Sequence, residues 1–349
     1  MITPQTLFEK LRHIKLGGTT CRYTPEKCEE FAPLINAINQ LKHEKNAIVL
    51  AHSYVSPEIQ YGVADFVGDS YELSRNAAST TARVIVFAAV KFMAETAKIL
   101  NPEKEVYIPS SLNGCTLADS ITALDVKNLR KQYPDYTFVC YINTSAEVKA
   151  ECDVCVTSSN VYKIVEAISN PNIYFLPDRL MGKNLINELQ KKGVAKTIRL
   201  WDGTCYVHEA YNPDSIEYLR MEYPDLRVLS HPECGPSVLH ASDFVGSTSQ
   251  MIRYVHESNA NAYFLLTECG LSSRLQMELP HKKFVGTCTM CKFMKSNTLQ
   301  DIYRVLQHPT PTDRVEISPS LIQKARLSID RMFYFAEKKS PLRSLTSQK

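Results

Sequence analysis

One order of events runs three times through the chain, and no other feature narrows the fold so much. Each run opens with an apolar, β-rich stretch that ends in polar residues: AIVLAHSY (47–54), TFVCYIN (137–143) and LRVLSHPE (226–233). A second stretch starts at an aspartate and ends in hydroxyls: DFVGDS (65–70), DVCVTSS (153–159) and DFVGSTS (243–249). The third is ARVIVFAAV (82–90), NIYFLPD (172–178) and AYFLLTE (262–268). The fourth leads to a cysteine: EVYIPSSLNGC (105–115), TIRLWDGTC (197–205) and KKFVGTCTMC (282–291). Asp65, Asp153 and Asp243 stand 88 and 90 residues apart, and Cys115, Cys205 and Cys291 stand 90 and 86 apart.

Between these stretches lie segments with helical spacing. YELSRNAAS, NVYKIVEAIS and QMIRYVHES each follow the second stretch, behind Ser, Thr or Asp suited to an N-cap. Strands alternating with helices predict parallel sheets, and near-continuous apolar strands predict sheets buried on both faces. The expected fold is α/β: three doubly wound parallel-sheet domains related by a pseudo-threefold axis around a central cavity. The expected boundaries are 1–116 plus 296–349, 117–206 and 207–295. Two amphipathic helices remain, over 26–45 and 318–339, the latter with Ser318 as N-cap and Pro319 at its first position. Its apolar face comprises Ile322, Ala325, Ile329, Met332, Phe333 and Ala336, and the C-terminal helices are expected to return over the first sheet.

A formal charge of +3 argues against a broad nucleic-acid face or a polybasic membrane patch. No apolar run approaches membrane-spanning length, and the start MITPQTLFEKLRHIKLGG lacks the apolar core of a secretory signal, so a cytoplasmic location is expected. Eleven cysteines, an odd count in a chain of this size, read as packing, metal ligation or catalysis and not as a disulfide scaffold. Twelve glycines and no G-x-G-x-x-G or P-loop argue against a glycine-rich nucleotide loop.

Ligands of parallel sheets bind beyond the carboxyl ends of the strands, where all three repeats place polar groups. After the first strands come His52 and Tyr54, Tyr141 and Asn143, and His231 and Glu233: acid–base and hydrogen-bonding types. At the helix starts stand Asp69 and Ser70, then Ser158, Ser159 and Asn160, then Thr248 and Ser249. Plain N-capping explains such residues, and three helix starts in one cavity also suit a substrate with several carboxylates or a phosphate. Cys115, Cys205 and Cys291 supply one thiol per repeat. Three thiolates lack the fourth ligand of a structural zinc site, but they hold a 4Fe–4S cluster by three corners and leave one iron open. An open iron is a Lewis acid suited to dehydration. The pairs Cys152/Cys155 and Cys288/Cys291 also match a zinc ribbon, although they lie far apart and CDVC runs into a strand. Cys288 and Cys291 suit a reversible disulfide. Cys21, Cys28, Cys140, Cys234 and Cys269 read as buried packing groups.

The segments AHSYVSPEIQ, DFVGDSYELS, GCTLADS, YINTSAEVKAECDVCVTSSN, WDGTCYVHE, HPEC, GSTSQMI, TECGL and CKFMK resemble the quinolinate synthase family of pyridine nucleotide (NAD) biosynthesis. The resemblance runs from about residue 30 to 335. It implies a transferase that condenses iminoaspartate with dihydroxyacetone phosphate to quinolinate, phosphate and two waters. It implies one 4Fe–4S cluster per chain on Cys115, Cys205 and Cys291. It implies substrate contacts from His52, Tyr54, Ser70, Tyr141, Asn143, Ser159 (with Ser158 as the alternative), His208, His231, Glu233 and Thr248. Tyr54 and Glu233 are the foremost proton-transfer groups, with His52, His208 and His231 shuttling protons or polarising carbonyls. An aspartate oxidase or dehydrogenase is the implied source of iminoaspartate. Some members carry a longer C-x-x-C-x-x-C run, and here Val285 stands where another cysteine would sit. Two other readings are another open-iron hydro-lyase and a non-enzymatic iron–sulfur redox sensor. The sensor has no need of acid–base groups at the strand ends, and the chain shows no basic DNA-binding element.

Overall fold

The computed structural model describes residues 1–16 and 21–337, with the side chains of Leu16, Cys21 and Arg22 outside the described set. The packing role expected of Cys21 therefore lies outside the described residues. Twelve strands form three four-stranded parallel sheets. The first holds β1 (Ala47–His52), β2 (Phe66–Gly68), β3 (Val84–Ala88) and β4 (Glu105–Tyr107). The second holds β5 (Thr137–Tyr141), β6 (Val154–Val156), β7 (Asn172–Leu176) and β8 (Thr197–Leu200). The third holds β9 (Arg227–Ser230), β10 (Phe244–Val245), β11 (Ala262–Leu266) and β12 (Lys283–Phe284). The strand orders are β2-β1-β3-β4, β6-β5-β7-β8 and β10-β9-β11-β12, one topology used three times. Each sheet matches one sequence repeat, and helices connect its strands, as crossovers between parallel strands require.

The repeated aspartates explain the period. Asp65, Asp153 and Asp243 each accept the backbone N–H of the neighbouring first strand, from Val49, Phe138 and Val228, every time at 2.7 Å. Each carboxylate also meets a basic side chain: Lys42 at 2.9 Å, Arg130 at 2.8 Å and Arg220 at 3.0 Å. The aspartate thus pins the start of the second strand to the first. Its station in the sequence marks a register lock rather than a catalytic group.

The central strands are buried along nearly their whole length. Phe87, Phe138, Phe175 and Tyr263 are the large side chains of the sheet cores, each buried to within 1 %. Burying one such ring contributes about 1.5–3 kcal/mol. The helix Arg179–Lys191 approaches the second sheet closely at Gly182, where a Cβ would come within 2.3 Å of Leu200 and 3.1 Å of Phe175.

The helix Pro25–Glu44 buries Cys28, Ala32, Ile35 and Ile38, matching the amphipathic reading. The last helix, Pro319–Glu337, buries Ala325, Ile329 and Met332, while Ile322, Phe333 and Ala336 are half-buried. It was expected over the first sheet. It instead packs chiefly on β6 and the helix Ala146–Ala150 of the second repeat, with a smaller contact to Lys91–Leu100 of the first. The helix Leu299–Gln307 is the one that lies over the first repeat, against Pro25–Glu44 and β3.

Two cysteine readings change. Cys269 is joined to Cys288 by a disulfide, so Cys269 is not a free packing group and the partner of Cys288 is not Cys291. The joint zinc site falls with it, because Cys288 is taken and Cys152 and Cys155 are buried at β6. Cys28, Cys140 and Cys234 are buried as expected.

Candidate functional site

The carboxyl ends of all three sheets face one cavity. Its wall includes His52, Tyr54, Ser70 and Cys115 from the first repeat, and Tyr141, Asn143, Ser158 and Cys205 from the second. His208, His231, Glu233, Thr248 and Cys291 also line it. Of the two serines, the cavity takes Ser158. The hydroxyl of Ser159, the residue favoured by the resemblance, pairs with Thr157 at 2.8 Å.

The helix starts also meet here. Asp69 caps Ser70–Ser79 by accepting the N–H groups of Tyr71 and Glu72. Those two donors are thereby used, and Ser70, at the first helical position, lines the cavity. Ser247 caps Thr248–Glu257 and donates to Asp69 at 3.0 Å, tying the first repeat to the third. Gln250 donates to the Ser159 carbonyl at 3.3 Å, tying the third to the second. The second helix, Val161–Ala167, is short and has no side-chain cap; Asn160 turns its Oδ1 back to the Thr157 N–H at 2.8 Å. The hydroxyl cap expected there is therefore absent.

His52 and His231 occupy equivalent strand-end positions and share one local geometry. The backbone N–H of the residue two positions on approaches Nδ1, from Tyr54 at 3.2 Å and from Glu233 at 3.4 Å. Nδ1 is then the acceptor, and the proton sits on Nε2. Burial pushes both imidazoles down to about 3, so both are neutral. Burial drives Tyr54 and Tyr141 well above the usual phenol range, so both keep their protons. Burial opposes ionisation of Glu233, but His208, its hydrogen bond, and Tyr141 outweigh burial and hold the carboxyl below its ordinary range. Tyr141 Oη donates to Glu233 Oε1 at 2.7 Å, and His208 Nδ1 lies 3.2 Å from Oε2. The rings of His208 and His231 stack at 4.5 Å.

The three cavity cysteines share a local structure as well. Each begins a short helical turn, with its carbonyl accepting the N–H of Asp119, Glu209 or Lys295 four residues on. Burial raises all three thiols, Cys115 to about 12. Against burial, each sulfur receives the amides of the residues two and three positions on: Leu117 and Ala118, Val207 and His208, Phe293 and Met294. Paired amide donors favour a thiolate and tune a metal-bound sulfur. Three thiols, one per repeat, each with the same donor pair, fit the three-cornered ligand set that the sequence implies. Cys205, His208 and Glu233 form a second arrangement, whose ligand atoms lie within 4.8 Å of one another and could hold a single metal ion.

The structure brings three further residues to the site. Glu268 is buried in the wall and caps the helix Cys269–Glu278. It accepts the Cys291 N–H at 3.1 Å and pairs with Lys295 at 3.2 Å. Lys295 also donates to the Tyr54 carbonyl at 2.6 Å. Thr267 stands between Tyr54 and His208, 2.6 Å from Tyr54 Oη and 3.0 Å from His208 Nε2. Thr267 and Glu268 end the third stretch of the repeat and Lys295 ends CKFMK, but only the folded arrangement sets Thr267 and Lys295 against the cavity residues Tyr54 and His208 and puts Glu268 in the wall.

The family model described as quinolinate synthetase A protein matches residues 36–334. The chain belongs to that family. It is 45% identical over 308 residues to quinolinate synthase 2 of Mesorhizobium japonicum, covering 88% of this chain and 93% of the relative. It is 45% identical over 328 residues to the quinolinate synthase of Agrobacterium fabrum, covering 94% and 93%. It is 41% identical over 330 residues to that of Caulobacter vibrioides, covering 93% and 86%. Membership makes the chain an enzyme of pyridine nucleotide biosynthesis. Among the described residues no helix is long and apolar enough to cross a membrane.

Proposed function

We propose that the chain condenses iminoaspartate with dihydroxyacetone phosphate to give quinolinate, phosphate and two waters, in the cytoplasm, with iminoaspartate supplied by an aspartate-oxidising enzyme. The observation that carries this reading is the set of three cavity thiols, one per repeat, each with the same pair of amide donors and all in one cavity with the acid–base groups. A 4Fe–4S cluster on Cys115, Cys205 and Cys291 would keep one iron free of protein thiolate and so supply Lewis acidity toward a departing hydroxyl. The division into 1–116 plus 296–349, 117–206 and 207–295 is part of the proposal, supported by each sheet falling within one stretch, except that the helix Pro319–Glu337 goes with the second unit by its packing.

The chain's own residues then divide the work. Ser70, Ser158, Thr248, Tyr141 and Asn143 bind and orient the anionic substrates, with Ser159 kept next to them as a support for the Thr157 turn. His52 and His231 are neutral and aim Nε2–H groups, which suits polarising a carbonyl better than giving up a proton. Tyr54 and Glu233 move protons, and His208 is held against Glu233 to assist. The test is anaerobic incubation with dihydroxyacetone phosphate and enzymatically generated iminoaspartate. Quinolinate is the expected product, and protein that carries its cluster yet forms none would overturn the reading.

A further inference from the structure

We infer that Lys295 is a positioning residue: paired with Glu268, it ties the turn that carries Cys291 to the backbone of Tyr54, so that a cluster ligand and a proton-transfer group are held as one unit. The inference deepens the proposed function, which gives Cys291 and Tyr54 those roles, and rests on it. Its ground is a set of contacts whose donors are fixed by their chemistry. The Lys295 ammonium donates to the Tyr54 carbonyl at 2.6 Å and to Glu268 Oε2 at 3.3 Å, and it lies 3.2 Å from Oε1. Glu268 accepts the Cys291 N–H on Oε1 at 3.1 Å and the Gly270 N–H on Oε2 at 2.6 Å. An ammonium and a backbone N–H only donate, while a carbonyl and a carboxylate only accept.

The clamp grips the turn that follows β1. Ser53, between His52 and Tyr54, is held inside the first repeat: its N–H by the Gly68 carbonyl at 3.1 Å and its carbonyl by Gln60 at 3.1 Å. Tyr54 is held from the third repeat at both ends. Its carbonyl takes Lys295, and its Oη lies 2.6 Å from Thr267 Oγ1 and 3.1 Å from Thr248 Oγ1. Glu268 is fully buried in the cavity wall and the Lys295 side chain keeps 18% of its surface exposed, so little water competes for either. Desolvation offsets much of the attraction in such a pair, and what the pair fixes here is position.

The repeat does not require this pair. Glu268 bridges to the strand position two residues before Cys291, and Asp178 does the same two residues before Cys205. All three cysteine turns share one backbone bond, from the N–H four residues on to the cysteine carbonyl. The residues that correspond to Glu268 and Lys295 are Val90 and Asp119 in the first repeat, and Asp178 and Glu209 in the second. Neither is a pair of opposite charges. The pair is an addition to the shared turn, and it stands at the turn set against Tyr54.

The approach also depends on Gly270, whose N–H the same carboxylate holds. A Cβ there would stand 2.6 Å from the Tyr54 Cα and 2.7 Å from the Ser53 carbonyl oxygen, both of them backbone atoms. Only glycine lets the third repeat come this near the Tyr54 backbone. Removing the Lys295 ammonium takes away the donor that the Tyr54 carbonyl holds from the Cys291 turn, while Glu268 still accepts the Cys291 N–H. The Tyr54 backbone then shifts relative to the cysteine, and a misplacement of about 1 Å costs on the order of 10²-fold in rate. Ser158 and Thr248, which orient the substrates, keep their places, so binding is spared.

The experiment compares native enzyme, Lys295→Met and the double variant Lys295→Met/Glu268→Gln, all purified and assayed without oxygen, with iron and sulfide counted on each sample. Methionine keeps the lysine stem and removes the ammonium. The double variant also removes the charge that the single one leaves buried and unpaired, and so tests the clamp even if the single variant does not fold. The expected result is native iron and sulfide, a native KM, and kcat lower by about 10²-fold. Amide hydrogen exchange of the holoenzyme is expected to quicken in residues 47–56, with the second sheet unchanged. Native-like kcat in a folded variant overturns the inference. So does a kcat that falls only in proportion to lost iron and sulfide, because Lys295 would then serve the cluster and not Tyr54. So does exchange in 47–56 that is unchanged, or that rises evenly along the chain, or loss of the folded state in both variants. Exchange needs no substrate, so it reads the clamp separately: native enzyme that holds its cluster but makes no quinolinate overturns the proposed function itself.

Discussion

Replacing Glu233 by Gln tests the acid–base half of the site with little change of shape. The carboxylate accepts from Tyr141 Oη at 2.7 Å and from His208 Nδ1 at 3.2 Å. An amide cannot accept on both sides. If its NH₂ faces His208, Nδ1 loses the carboxylate oxygen it holds at 3.2 Å. If it faces Tyr141, the phenol must turn away from the acceptor it holds at 2.7 Å. Two charge-assisted hydrogen bonds worth about 1.5–3 kcal/mol each give way to neutral ones worth about 0.5–1.5. Relief from burying a charge offsets part of that loss, so the folded state should lose only about 1–3 kcal/mol. The rate should fall much further. Losing a positioned proton-transfer group costs about 10²–10⁴-fold, or about 2.7–5.5 kcal/mol of barrier. The assay is anaerobic quinolinate formation, with iron and sulfide counted on the same protein. Turnover within about threefold of native, against the hundredfold or more expected of a positioned base, would refute the role given to Glu233.

Two further outcomes are expected. Ser158→Ala should raise KM for substrate, because Ser158 lines the cavity, while Ser159→Ala should change KM less, because that hydroxyl is spent on Thr157; steady-state kinetics on both variants decides, and the reverse order would return the contact to Ser159. Asp153→Ala should lower unfolding free energy by about 1–3 kcal/mol by leaving the Phe138 N–H without its acceptor; denaturant melts measure it, and an unchanged midpoint would contradict the register-lock reading.

Much of the fold was legible because it repeats. Four stations recurring three times located every strand of the three sheets: the central ones because a parallel strand buried on both faces must be apolar throughout, and half-exposed edge strands such as β8 by their place in the repeat. The aspartates were visible as positions, but their job was not. That job is a side chain bonding to the backbone of the neighbouring strand, which leaves no composition signal. The strand-end residues His52, Tyr54, Tyr141, Asn143, His231 and Glu233 were legible for the same reason as the strands. Thr267 was not: it lies 213 residues from Tyr54, and nothing local distinguishes a threonine that bridges two repeats from one that ends a strand. The Cys269–Cys288 pair was hidden likewise, because spacing favours the nearer Cys291 and only the folded loop sets Cys288 against Cys269. Amphipathicity fixed the face of the C-terminal helix, but not which repeat it would cover. Ser158 and Ser159 are adjacent and alike, and only the turn at Thr157 separates their directions.

The account's central claim is that Cys115, Cys205 and Cys291 hold one iron–sulfur cluster. Iron and acid-labile sulfide per chain, counted on protein purified without oxygen, test it most directly. About four of each is the predicted result. Zinc at one per chain would move the metal to Cys205, His208 and Glu233 and contradict the claim, as would protein with no metal that is nonetheless active.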